Sequence, residues 1–240
     1  MMPIPPEQAA LPSSVVLYRL RPGRAGLLLG AVALGLVLDH LAAMQVIFNP
    51  DLGLAARYGI KYWHLALFDL DAEESFGTWF SAVMLLIAGQ LLLAETLRRR
   101  ACSDRWWLAW AGLAAGFHLL SIDEVVGLHE WVNTALEDVP WTIFGFWILG
   151  LVGFVYLPFL WRYRWRTALL FVAAGLVYGG GAVGVEHWTG DDVRSLSYNM
   201  WTALEEGMEM GGVILFIYAL LDHLGGSEGV EVRVVTSEQV

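Results

Sequence analysis

Apolar residues run along this chain in six long blocks, and polar residues gather between them. The blocks cover residues 25–48, 75–97, 106 to about 131, 141–161, 167–188 and 200 to about 223. About 20 apolar residues carry a helix across ~30 Å of hydrocarbon. The second, fourth and fifth blocks meet that length with charge only at their ends. The first, third and sixth meet it only with ionisable groups inside the membrane. The pattern predicts an all-α, six-helix transmembrane bundle over residues 25–223. Residues 1–24 precede it, and a short polar tail, 224–240, is expected to run free.

Arginine placement orients the bundle. Arg19, Arg21 and Arg24 precede the first block, Arg98, Arg99, Arg100 and Arg105 follow the second, and Arg162, Arg164 and Arg166 follow the fourth. The opposite loops hold Arg57, Lys61 and Arg194. Basic loops stay inside, so both termini are predicted to be cytoplasmic, in a cell (inner) membrane. Trp106, Trp107, Trp131, Trp141 and Trp161 read as interfacial belts. The first block resembles a signal peptide in its basic flank. No small-residue cleavage site follows and Asp39 interrupts it, so it reads as a retained membrane helix. Residues 49–74 then lie outside, and Tyr62, Trp63, Leu65, Leu67, Phe68 and Leu70 suit a short interfacial helix.

Composition narrows the class further. The chain is 57 % hydrophobic and 16 % charged, against about 25 % charged in an average soluble domain. A lone cysteine, Cys102, excludes a disulfide framework. A net charge of −10 argues against nucleic acid as a partner.

The chemistry lies in the interrupting residues. Asp123 and Glu124, with His118 and His129, sit on the third block; Glu205, Glu206 and Glu209 on the sixth; Glu186 and His187 end the fifth; Asp39 and His40 interrupt the first. With the termini inside, most of these fall in the outer half of the bilayer. At ~1.5 Å per residue, Asp123 lies ~12 Å below Trp131, and Glu205 to Glu209 lie ~6–12 Å below Trp201. A charge at mid-bilayer costs about 2.5–3.5 kcal/mol even on the lenient insertion scale. Asp123, Glu124, Glu186, Glu206 and Glu209 are therefore expected to converge on one cavity, within ~10 Å. Glu186 would stand at its mouth, His187 or His129 at its rim, and His118 or His40 at its floor. The fourth block, which lacks ionisable groups, should be peripheral.

Helical phase supports the convergence. Asp123 and Glu130 share one edge of a continuous helix, His118 and His129 another, and Glu209 lies in register with both Glu205 and Glu206. Gly211 and Gly212 on the sixth block, and Gly179 to Gly181 on the fifth, would let helices approach closely.

Crowded carboxylates repel unless protons or cations share the site. Oxygen and imidazole donors suit zinc, iron or manganese, as one ion or as a pair like that of di-metal helical bundles. Glu124 is a candidate general base and Ser121 a candidate nucleophile. Structural readings stand beside these. His129, Glu130, Glu73 and Glu74 also suit solvated helix ends, Asp39 and His40 a self-satisfied pair, and Ser121 a hydroxyl bonded one turn back.

The strings Leu120-Ser-Ile-Asp-Glu124 with His129-Glu130, then Gly184-Val-Glu-His187, then Glu205-Glu-Gly-Met-Glu-Met210, resemble a family of uncharacterised bacterial six-span membrane proteins. That resemblance implies a topology and a motif set rather than a reaction.

Three functions follow from the residues. The first is a metal-dependent membrane enzyme, a hydrolase or di-metal oxidoreductase, acting on a lipid or other amphipathic substrate. The second is a cation or proton transporter. The third is an accessory or scaffolding subunit, with membrane-complex partners or copies of itself.

Overall fold

In the computed structural model, residues 14–136, 139–189 and 195–236 are described. The chain opens with strand β1 (Ser14–Leu20) and a long helix α1 (Pro22–Phe48). Two short helices, α2 (Leu54–Tyr58) and α3 (Tyr62–Ala66), follow in the segment between the first two long helices. Then come α4 (Phe76–Ala101), α5 (Trp107–Val126), α6 (Leu128–Leu136) and α7 (Trp141–Leu160). Helix α8 (Trp165–Gly179) runs through a π-helical turn, Gly180–Val185, into α9 (Glu186–Trp188). Helix α10 (Leu196–Gly225) and strand β2 (Val230–Thr236) complete it. Six helices are long and apolar enough to cross a membrane: α1, α4, α5, α7, the α8–α9 run and α10.

Helix α10 is the axis. It packs against α1, α4, α8 and the π-helical turn, while α4 and α5 form a close pair. Its own core face carries Met210, Val213, Ile217 and Leu220, which meet Met84, Leu85 and Leu92 of α4 and Trp110 of α5 in one buried cluster. Two start signals are local: Ser75 accepts the Thr78 N–H at 3.2 Å, and Ser195 accepts the Tyr198 N–H at 3.0 Å. These hydroxyls satisfy amides that lack a carbonyl one turn back. The Ser195 cap starts α10 at Leu196, ahead of the predicted residue 200.

Helix α7 is peripheral. Trp147, Phe154 and Leu151 are largely exposed along it, as suits a lipid-facing surface. Gly212 sets the closest helix approach: a Cβ there would lie 2.5 Å from the Tyr178 amide nitrogen of α8. Gly181 does the same in the π-helical turn, where a Cβ would lie 2.7 Å from the Glu205 carbonyl oxygen.

Three expectations need correction. The third span does not run on to Trp131. Gly127 takes a left-handed conformation, φ 61°, which ends α5 and starts α6 as a separate helix. The edges drawn through Asp123 and Glu130, and through His118 and His129, therefore do not exist, nor does the depth reckoned from Trp131. The Glu130 side chain and the loop around Asp191 and Arg194 lie outside the described residues. Finally, the tail is not free: β2 pairs antiparallel with β1, with Leu20 opposite Val230 and Leu17 opposite Arg233.

The arginine-rich end is laced together. Glu95, 2 % exposed, accepts from Arg98 at 2.7 Å and from Arg99 at 2.6 Å. Arg99 reaches on to Asp104 at 2.8 Å. Arg162 approaches Asp104 and Arg166 approaches Asp222. The Trp106 amide and the Arg99 guanidinium together hold the Asp104 carboxyl below its ordinary range.

Candidate functional site

One cavity of about 940 Å³ gathers the acids. Asp123 and Glu124 reach it from α5, Glu186 from α9, and Glu205, Glu206 and Glu209 from α10. Asp71 and Glu73 join from the segment between α3 and α4. No lysine or arginine lines it among the described residues. The π-helical turn makes this arrangement compact. Lacking a Cβ, Gly181 lets α8 close onto the α10 backbone at Glu205 and onto the Glu209 side chain. π-helical turns recur at functional sites because they shift the side chains that follow. Here the next residue is Glu186.

Several contacts hold the wall. The Trp141 indole N–H donates to Glu186 at 2.7 Å, and the Tyr198 hydroxyl donates to Asp71 at 2.8 Å. The His129 amide donates to Asp123 Oδ1 at 3.1 Å, and His129 Nδ1 stands 3.1 Å from Oδ2. The buried Ser81 hydroxyl of α4 faces the Glu124 carboxylate and is placed to donate to it.

His129 lines the cavity with the six acids of α5, α9 and α10; the remaining sequence candidates do not. Ser121 donates its proton to the Ala82 carbonyl of α4 at 2.8 Å, so it fastens two helices. His118 packs on Gly89, with Nδ1 on the Ala114 carbonyl at 2.6 Å and Nε2 near Gln90 at 3.1 Å. His40 is fully buried. Its Nδ1 accepts from the Leu70 amide at 3.0 Å and its Nε2 donates to the Asn199 carbonyl at 3.2 Å. It ties the chain at Leu70 to α1 and α10 and does not line the cavity. Asp39 is exposed on α1, so it and His40 are not a self-satisfied pair. His187 meets the Thr142 hydroxyl at 2.9 Å, behind the cavity wall.

Sequence reasoning missed Asp71, Tyr178 and Tyr198 as lining residues, and took Trp141 for a belt residue. Only Trp141 carried a usable signal, an indole donor level with the Glu186 end of the fifth span.

The donor set, carboxylate oxygens with an imidazole at the side, suits a divalent ion. Among the described residues, however, no three His, Cys, Asp or Glu side chains form a ready-made cage. The donors form a layer spread over the wall.

No curated protein and no solved structure matches the chain. A family profile does match, from the start of α1 to the end of α10, in keeping with the resemblance to an uncharacterised family. The chain belongs to that family, described as Domain of unknown function (DUF8692), over residues 26–224.

Proposed function

We propose that this chain is a multi-pass enzyme of a bacterial inner membrane, with both termini cytoplasmic and its reactive centre at the acid layer. The observation that carries the reading is the convergence of acids from α5, α9 and α10 on one cavity whose described lining holds no basic residue. Such a wall is costly to keep in a membrane unless it binds something positive or moves protons. Zinc, iron or manganese fits the donor chemistry, with Glu124, Glu206 and Glu209 as the residues that would hold one or two ions. A bound ion would supply an acidified water or a Lewis-acid contact. Glu124, which lines the cavity and faces the Ser81 hydroxyl, is placed to accept a proton from substrate or water.

The arginine clusters support the orientation, since Arg98, Arg99, Arg162 and Arg166 share the end at which β1 and β2 pair. The transport reading fares worse. Inward of Glu124 the cavity is lined by Leu120, Phe117 and Leu113, with no second layer of acids among the described residues to receive an ion.

The test is elemental analysis of detergent-purified protein, with and without chelator, beside Glu209→Gln. The expected result is about one or two equivalents of a single metal in the wild type and a clear loss in the variant, with a lower Tm, because metal binding energy is also folding energy. Wild-type protein free of metal, or a Glu209→Gln variant that keeps it, overturns the reading.

A further inference from the structure

The cavity does not end at the acids. It continues inward as an apolar limb between α5 and α7, lined by Leu120, Gly116 and Gly112 on one side and by Leu149, Val152 and Tyr156 on the other. From Glu124 to Gly112 is twelve residues of helix, or ~18 Å. One leaflet of a bilayer, half of a ~30 Å core, is ~15 Å deep. The limb is as long as one lipid tail.

Its two ends differ. At the inner end α5 and α7 are joined: the Tyr156 hydroxyl donates to the Ala109 carbonyl at 2.9 Å, and Trp110 meets Phe159 edge to face at 5.2 Å. Toward the outer end the limb meets the acids and two aromatic residues, Trp141 and Tyr198. Its flank is open. Leu119, Ile148 and Val152 line the limb and are also 62 %, 59 % and 45 % exposed, so the space communicates with the zone the bilayer occupies. Gly116 enlarges it, since a Cβ there would meet nothing within 4 Å. A volume of about 940 Å³ is within the ~300–1,000 Å³ of small-molecule sites.

Charge selects the head group. Asp71, Glu73, Asp123, Glu124, Glu186 and the three α10 glutamates line the outer part with no lysine or arginine among the described residues. An anionic head is repelled there, whereas an ammonium gains carboxylates and aromatic faces together.

We propose that the limb holds one acyl chain of an amine-headed lipid of the outer leaflet, which slides in sideways between α5 and α7 and brings its ammonium to the acid layer. This deepens the enzymatic reading by naming the substrate class, and it rests on that reading for the orientation and for what happens at the head group.

The test uses native mass spectrometry of the delipidated full chain, offered phosphatidylethanolamine and phosphatidylglycerol in equal amounts. Wild type is expected to retain phosphatidylethanolamine about tenfold over phosphatidylglycerol, a difference of ~1.4 kcal/mol. Gly116→Phe, which fills the limb, should lose about nine-tenths of that retention, with Gly116→Leu between the two. Gly153→Phe, on the exposed side of α7 with open space around it, should match wild type. Equal retention by Gly116→Phe and wild type, or no preference between the two lipids, overturns the proposal. Metal is measured in the same samples. A Gly116→Phe variant that keeps its metal and loses its lipid supports the limb. A metal-free wild type that still selects the amine head overturns the metal reading alone. Metal bound without lipid selectivity overturns this proposal alone.

Discussion

Asp123 and His129 close on each other across the break in the third span, through the amide of His129 on one carboxylate oxygen and its ring on the other. The carboxylate thus covers the start of α6, where amides lack intrahelical partners and negative charge is favoured. Asp123 is the acid most committed to structure, even though it lines the cavity. Asp123→Ala should cost about 1–2 kcal/mol, as loss of a helix cap does. Asp123→Asn retains an acceptor for the His129 amide and should cost less than half as much. Thermal unfolding in detergent separates the two, and equal losses would show that charge rather than the hydrogen bond matters.

Trp141 and Glu186 are joined along the cavity wall at 2.7 Å. Trp141→Phe keeps a ring and removes the donor to a partly buried carboxylate, a change worth about 1–3 kcal/mol. If Glu186 guards access to the acid layer, the variant should also speed exchange of a bound metal with chelator. Unchanged Tm and unchanged exchange would mean that the contact is incidental.

Gly212→Ala should destabilise by about 1–3 kcal/mol, because the new methyl group meets backbone atoms of Tyr178, which cannot rotate away. Gly211→Ala, with nothing within 4 Å of its Cβ, is the control and should be neutral or stabilising by up to ~1 kcal/mol. Chemical or thermal unfolding of the pair measures the difference directly.

Glu95 is buried at the arginine-rich end between two guanidinium groups. Removing it leaves Arg99, 19 % exposed, with half of its carboxylate partners. Glu95→Ala should therefore cost about 3–5 kcal/mol, as for other broken buried pairs. Arg98→Ala, whose guanidinium is largely exposed, should cost about 1 kcal/mol or less.

Asp104 sets one acid limit on stability. The Trp106 amide first, and the Arg99 guanidinium second, hold its carboxyl below the ordinary 3.8. A lowered folded value stabilises the folded state at pH above the unfolded value. That contribution is fully present above about pH 4 and is lost as the pH falls through the folded value. Asp104→Asn should lower Tm at neutral pH and flatten its decline below about pH 4. An unchanged acid limb in the variant would remove Asp104 from the account.

Residue pattern alone determined the class of molecule. Six apolar blocks of bilayer length predicted six spans, and six helices of that length and character form, because lipid leaves a chain few ways to satisfy its backbone. The same cost of lone charge in hydrocarbon predicted that acids of the third, fifth and sixth spans would leave lipid together, and those acids line one cavity. The fourth block, with no such constraint, lies at the edge.

Which donors reach the cavity was decided only by the tertiary structure. Periodicity treats a span as one uninterrupted helix, so it could not see that Gly127 breaks the third and that a π-helical turn displaces the end of the fifth. Nor does residue type reveal a partner. His40, His118 and Ser121 looked like site chemistry, yet their hydrogen bonds go to backbone groups and neighbouring helices. Tyr198 and Asp71 carried no such mark and were delivered to the wall by packing, and Trp141 read as a belt residue. A hydrogen bond depends on a few tenths of an ångström between distant segments, whereas a hydrophobic block depends on a sum over twenty residues. The sum is written in the sequence; the distances exist only after the helices have packed.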